Sequence, residues 1–313
     1  MTPEAAAAQA IAHWGTPATP LRFIKNRENA VFEVHLTDGT HAALRLHRAG
    51  YQTAEAIASE LLWTQRLHAQ GFPCPRPIAN EQGQLLHVLP DGTATSLIEW
   101  LPGAPIGQAG DPFEGTPEEQ LALYHRLGAL LSDLHRLTDQ SGTTEGITRP
   151  SWGFDALLGD TPFWNRFWQN PALSAHEQSQ ARALRQWARD YLSARDWDMG
   201  LIHADAIQEN VLNHAGALSL IDFDDSGYGY RTYDLGAALS QHVDNPMLPD
   251  LSAALIDGYG ATTRLQEDTP VFTLLRTMAS AGWIITRTDD REKLAYYGQR
   301  MLRHAGRVCP EVL

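Results

Sequence analysis

The sequence predicts an α+β chain of two lobes: an antiparallel-sheet N-lobe over residues 1–100 and a mostly helical C-lobe over residues 101–313. Three observations predict it. Short runs within 21–47 and 85–100 alternate apolar and polar side chains, the period of half-buried strands. A single helical stretch, 53–70, crosses between them. Beyond residue 116 the apolar positions recur at three- and four-residue steps, and most of the remaining chain reads as helix.

The elements follow in order. MTPEAAAAQAIAHW has an apolar run but no basic leading segment and contains Glu4, so it reads as a short amphipathic helix rather than a signal peptide. Residues 30–36 and 41–47 read as strands around the turn Thr37-Asp-Gly39. In 53–70, Ile57, Leu61, Leu62 and Leu67 fall at helical spacing, and Gly71 sits where a C-cap belongs. FPCPRP breaks the chain, 85–89 and 95–100 read as strands, and Leu101-Pro-Gly103 leaves the lobe. Residues 107–120 form a polar loop ending in Thr116-Pro-Glu-Glu119, an N-cap with proline and acids in the first turn. Leu123, Leu127, Leu130, Leu134 and Leu137 then stripe the buried central helix of the second lobe. An aromatic-rich insertion occupies about 140–170, and a helix covers 174–193. The tail from 231 to 307 is helical, with breaks expected at Asn245-Pro246 and Thr269-Pro270.

The stretch LIHADAIQENVLNHAGALSLIDFDD, residues 201–225, carries the chemistry. An apolar strand (Leu201, Ile202) delivers His203-Ala-Asp205, and Asn210 follows five residues after Asp205. A second strand, Leu218 to Ile221, delivers Asp222. The two strands, around His214-Ala-Gly216, read as a hairpin whose ends carry a carboxylate, a carboxamide and a second carboxylate. Phosphoryl transfer needs that set: an Asp for the acceptor's proton, and an Asn and an Asp for magnesium. The bland reading, strand-end turn formers, does not explain two strands each ending in Asp. A metal-dependent hydrolase built on His203, Asp205, His214 and Asp222 would need tightly spaced histidine ligands, and neither H-x-H nor H-E-x-x-H occurs.

These residues resemble the phosphotransferase enzyme family of aminoglycoside kinases, choline kinases and type II homoserine kinases, most of all the branch around the stress-response kinase RdoA. ALRLHRAGYQT (43–53), SLIEWLPG (96–103) and IDFDDSGYGYRTYDLG (221–236) extend the resemblance over about 20–240. It implies a bilobal protein-kinase-like fold, ATP and Mg2+ as cofactors, Asp205 as catalytic residue, Asn210 and Asp222 as metal ligands, and a hinge at Glu99, Trp100 and Leu101 receiving the adenine edge. It also implies that Asp234 braces the catalytic loop through backbone N–H groups and that His203 orders that loop. Three departures stand out. Ala206-Ile-Gln-Glu209 lacks the usual His-Pro-Gly, the nucleotide-covering stretch 25–30 has no glycine, and Arg45 stands where relatives carry lysine.

Arg45 alternates with Leu44 and Leu46, so it reads either as a solvent-facing strand residue or as a cation on the nucleotide phosphates. In the second case Glu60, with Glu55 as fallback, is its partner. Between 201 and 234 six acids, including Glu209, Asp224 and Asp225, meet one basic residue, Arg231. Only Arg231 and His214 are local candidates to compensate them. That surplus suggests an amine-bearing substrate held near Glu209, Asp224 and Asp225, or else a solvated acidic rim. Trp152, Phe154, Phe163, Trp164, Phe167 and Trp168 read first as core and second as an aromatic wall for a cationic or sugar-like ligand.

The chain of 313 residues, 43% hydrophobic with nine Trp and a formal charge of −13, suits a globular enzyme and argues against nucleic acid or an anionic membrane surface as partner. Cys74 and Cys309 lie apart from every motif, so a reduced, cytoplasmic compartment is expected. The expected function is ATP-dependent phosphorylation of a hydroxyl on a small, amine-bearing or sugar-like metabolite. A Ser/Thr protein kinase of the RdoA type and a nucleotide-binding pseudokinase stay open as alternatives.

Overall fold

The computed structural model describes residues 2–26 and 29–313 and divides the chain into two compact units, neither of them one continuous stretch. The first comprises residues up to Ala104 with Leu137–Arg149 and Leu212–Asp224. The second comprises Pro105–Arg136, Pro150–Val211 and Asp225–Leu313.

In the first unit, strands Arg22–Asn26, Asn29–His35, His41–His47, Ala94–Glu99 and Pro77–Ile78 form one antiparallel sheet in that order, with Leu86–Val88 also on Ala94–Glu99. His41–His47 is central and buried on both faces. Ala42, Leu44 and Leu46 pack with Ala6, Ala7, Ala10, Ile11 and Trp14 from the helix Pro3–Ile11 and its exit. The opposite face carries Arg45, which meets Glu60 of the helix Ala54–Ala69. That helix starts where Thr53 accepts from the Ala56 N–H and ends at Gly71, whose φ of +85° reverses the chain so that the Phe72 N–H returns to Leu67.

The second unit is mostly helical. Its core gathers Trp152, Trp164, Phe167, Trp168, Ile202, Tyr233, Phe272 and Met278. A small sheet sets Gly227–Tyr230 between Met199–Ile202, antiparallel, and Ser151–Trp152, parallel. Every residue of the helix Arg231–Leu239 is buried. It packs tightly on the helix Thr263–Trp283 at Gly236, where an added Cβ would fall 2.4 Å from the Phe272 carbonyl carbon. These two helices carry Asp234 and Arg276.

One expected break is absent. Thr263–Trp283 runs through Pro270 without ending. A proline removes one N–H and pushes on the preceding turn. Here the Thr269 and Thr273 hydroxyls donate to the carbonyls of Leu265 and Thr269 across the same turns, and residues 271–278 are packed on all sides. Tertiary burial outweighs the local preference. The break at Asn245-Pro246 is present, between Arg231–Leu239 and Leu248–Gly260.

The contact at Gly236 is a test of this packing. Gly236→Ala should cost about 2 kcal/mol, the usual scale of overpacking against backbone. That corresponds to roughly 4–8 °C in Tm for a domain of this size. Thermal unfolding followed by circular dichroism checks it, and an unchanged Tm would mean the two helices separate readily.

Candidate active site

Strand Met199–Ile202 buries Leu201 and Ile202 and pairs Ile202 with Gly227, not with the second motif strand. The hairpin around His214-Ala-Gly216 is instead Val211–His214 with Ala217–Leu220. The turn Gln208–Asn210 ends one strand's run and starts another, which residues this short do not announce in sequence. The hairpin thus begins next to Asn210 and ends shortly before Asp222.

The loop between strand and hairpin hangs on one carboxylate. Asp234, fully buried, accepts from the N–H groups of His203 (3.0 Å) and Ala204 (2.7 Å) and pairs with His135 Nε2 (2.9 Å). It holds Ala204 at φ +66°, a left-handed conformation that non-glycine residues rarely adopt. His203 is also buried, and its Nδ1 accepts from the Asp205 N–H (3.2 Å). Gln208 and Glu209 tie down the far side. Gln241 accepts from the Gln208 N–H and donates to Glu209, which also accepts from the Ala109 N–H (2.8 Å). The Gln208 side chain meets His242, which pairs with the Tyr124 hydroxyl. The departure at Ala206-Ile-Gln-Glu209 therefore has its own set of supports. Glu209, expected near substrate, is engaged in holding the loop.

Asp205 Oδ1 accepts from Arg276 Nη2 at 2.5 Å, and Oδ2 accepts from Asn210 Nδ2 at 2.9 Å. Arg276 is almost wholly buried, lies 4.7 Å over the Trp164 ring and donates to Ser280 Oγ. Burial opposes its charge, but Asp205 and Asp225 outweigh that and raise its pKa. Asn210 spends its amide hydrogens on Asp205, which leaves its carbonyl oxygen to ligate a cation.

In the first unit Asp222 closes the strand Ala217–Leu220 at φ +66°, and its Oδ2 lies 3.2 Å from Lys25 Nζ. Arg45 is buried, not solvent-facing. Its Nη2 donates to Glu60 (2.9 Å) and its Nε to Ser96 (3.3 Å). Among the described residues its Nη1 makes no hydrogen bond. Burial opposes the Arg45 charge; Glu60, Asp224 and Asp222 more than offset it. Asp224 is buried 3.9 Å from His47 Nδ1, and burial, then the charge of Glu60, push its pKa up to about 7 against the pull of Arg45. Its backbone carbonyl accepts from Arg149 and Gln52. At the expected hinge the Glu99 and Trp100 N–H groups are spent on Arg76 and His41, and among the described residues that of Leu101 makes no backbone hydrogen bond. The nucleotide-covering stretch lies partly outside the described residues, at 27 and 28.

The charge reading needs correction. Arg231 is turned to Asp198 (3.0 Å) and His214 is exposed in the hairpin turn. The acids are compensated by Lys25, Arg45, Arg149 and Arg276, all distant in sequence. The aromatic insertion is packing: Trp152, Phe167, Trp168 and Trp164 are all buried. Asp225 is buried too, its backbone carbonyl held by Trp152 Nε1 at 2.6 Å. The hydrolase set fails as well, since among the described residues the only three His, Cys or acidic groups with ligand atoms within 4.8 Å are Glu33, His35 and His41. Asn210 and Asp222 each offer oxygen, the donor type that suits a hard cation such as magnesium and not zinc. One signal for Arg276 was available: a lone charge in the apolar run VFTLLRTMAS.

The profile of the phosphotransferase enzyme family matches residues 20–270. Amicoumacin kinase of Bacillus subtilis is 24% identical over 243 residues, 77% of this chain and 69% of that protein. Homoserine kinase of Methylobacterium radiotolerans is 26% identical over 275 residues, 84% and 78%. Among solved structures, a microcompartment-associated aminopropanol kinase superposes with a TM-score of 0.84 at 25% identity, covering 98% of each chain. Among the described residues no helix is long and apolar enough to cross a membrane.

Asp205→Ala strands a buried guanidinium, so it should destabilise the protein by about 3–5 kcal/mol as well as remove the carboxylate. Arg276→Met added to it should cost much less than the sum of the two single changes. A double-mutant cycle in urea checks this, and additive losses would show that the pair is not coupled. His242 supplies a pH test. Burial, and then Arg300, push its pKa down from 6.5 to about 4. Its contribution to stability is therefore intact above 6.5 and lost as pH falls toward 4. The gap between 6.5 and about 4 corresponds to roughly 3 kcal/mol. In His242→Gln the acid limb of a stability–pH profile should flatten between those values.

Proposed function

Because the chain belongs to the phosphotransferase enzyme family and is an ATP-dependent kinase acting on a hydroxyl of a small molecule, we propose that its acceptor carries an amine beside that hydroxyl. The carrying observation is electrostatic. Asp205 and Asp225 both act on one guanidinium, that of Arg276. Beside the carboxylate of the proposed base a protonated amine on the acceptor meets an opposite charge, where a carboxylate or phosphate would meet a like one. The names of aminopropanol kinase and homoserine kinase support this choice, since both compounds join an amine to a hydroxyl.

In this reading Asp205 orients the acceptor hydroxyl and accepts its proton. Arg276 and Asn210 fix the carboxylate for that task by holding one oxygen each. Asn210 and Asp222 are the oxygen donors assigned to magnesium. Arg45 offers Nη1 to a nucleotide phosphate, and the Leu101 N–H offers a donor to the adenine edge. When bound, magnesium and ATP supply the transferable phosphoryl group with part of its charge neutralised. Asp234 and His203 act only by shaping the loop.

ADP release measured across amino alcohols, hydroxy amino acids, sugars and aminoglycosides tests the acceptor class. The best acceptor should bear an amine, its N-acetyl form should lose about tenfold or more in kcat/KM, and rising salt should weaken its binding. If a neutral or anionic compound is best and acetylation changes nothing, the amine assignment fails and the kinase chemistry stands.

A further inference from the structure

Lys25 lies in the edge strand Arg22–Asn26, at a point where the pairing slips. Phe23 faces Phe32, but Lys25 faces Val31, so Ile24 is an extra residue in the strand. A bulge of this kind breaks the alternation of faces and re-aims the side chain beside it. The re-aimed ammonium sits 3.2 Å from Asp222 Oδ2, although 197 residues separate the two in sequence. Both side chains are partly solvent-exposed, Lys25 by 43% and Asp222 by 31%. Such pairs are weak and exchange readily.

A lysine ammonium and a magnesium ion compete for the negative charge of that carboxylate. Magnesium binds carboxylate oxygen at about 2.1 Å, which would place a dication and an ammonium on one atom in a partly shielded site. A metal that binds Asp222 through Oδ2 displaces Lys25 from it. The displaced ammonium, on a flexible four-carbon stem, then meets the phosphate charge that accompanies the metal. The covering stretch 25–30 contains no glycine, the residue that lets backbone N–H groups approach a phosphate most closely. A lysine side chain provides the same charge by another route.

We infer that Lys25 is a nucleotide-phosphate ligand that occupies Asp222 in place of the metal until the nucleotide arrives. The inference rests on the assignment of Asp222 to the metal. It predicts effects of opposite sign from one substitution. Lys25→Met in the full chain should raise the affinity of the nucleotide-free protein for Mn2+ a few-fold, since a competing cation is gone. The same variant should lose about tenfold in affinity for ATP with magnesium, the scale of one charge-assisted hydrogen bond. Lys25→Arg should restore most of the nucleotide affinity. Both affinities are read by calorimetry, without turnover. A rise in Mn2+ affinity together with a fall in ATP affinity supports the inference; any other combination overturns it. Asp222→Asn run in parallel separates the two readings. If that variant keeps parental Mn2+ and ATP affinities, the metal assignment has failed, not the behaviour of Lys25 alone.

Discussion

The second unit's chemistry depends on a single buried carboxylate. Asp234 receives two successive backbone N–H groups and an imidazole, and nothing in bulk solvent reaches it. A buried, charged acceptor of that kind is stable only when its hydrogen bonds are complete. Those bonds in turn hold Ala204 in a left-handed conformation worth on the order of 1–2 kcal/mol of strain. The strain turns the chain sharply enough for Asp205 to leave the line of the strand and face Arg276 and Asn210. The helix–helix contact at Gly236 and Phe272 stands behind this, because it sets the helix carrying Asp234 against the helix carrying Arg276. Packing, strain and charge here are one construction.

Charge neutralisation is the second constraint, and each unit meets it internally. Asp205 has Arg276, Asp222 has Lys25, and Glu60 has Arg45. Asp224 is the partial exception: with Glu60 and Asp222 nearby, and only Arg45 and Arg149 opposing, its carboxyl holds a proton to near neutral pH. It is thus ill suited to the substrate contact that a count of local acids suggested. Acids counted along the sequence overstated the negative charge because their partners come from elsewhere in the chain.

That difference explains what could be read beforehand. Strand alternation, helix caps and the acid-bearing motif are local, set within about ten residues, and they were legible: the helix Ala54–Ala69 with its Thr53 cap and Gly71 exit, the helix Ala175–Ser193, and the turn at Gly39. Strand partners were less so. The pairing of Met199–Ile202 is not legible because its partner, Gly227–Tyr230, is a Gly/Tyr segment with no apolar alternation to mark it. The cations were illegible for a further reason. Lys25 and Arg276 reach their acids across 197 and 71 residues, and no periodicity encodes such a pairing. Pro270 misled in the opposite direction, a strong local signal overruled by burial.

Arginine at position 45, where the family resemblance implies lysine, has a physical logic of its own. The side chain is 4% exposed and surrounded by Ser96, Glu60 and Asp224. A lysine there would bring a strongly hydrated ammonium with three donors and a pKa that burial depresses easily. Arginine keeps its charge under the same burial and has five donors in a fixed plane. Nε serves Ser96, Nη2 serves Glu60, and Nη1 is left over. Two structural bonds and one further donor can therefore coexist on a single rigid group. A site decaying toward mere nucleotide binding has no need to keep a buried ion pair, which is costly to desolvate and gains little stability. The intact Arg45–Glu60 pair, together with a fully braced 203–210 loop, is the arrangement of a chain still built for transfer.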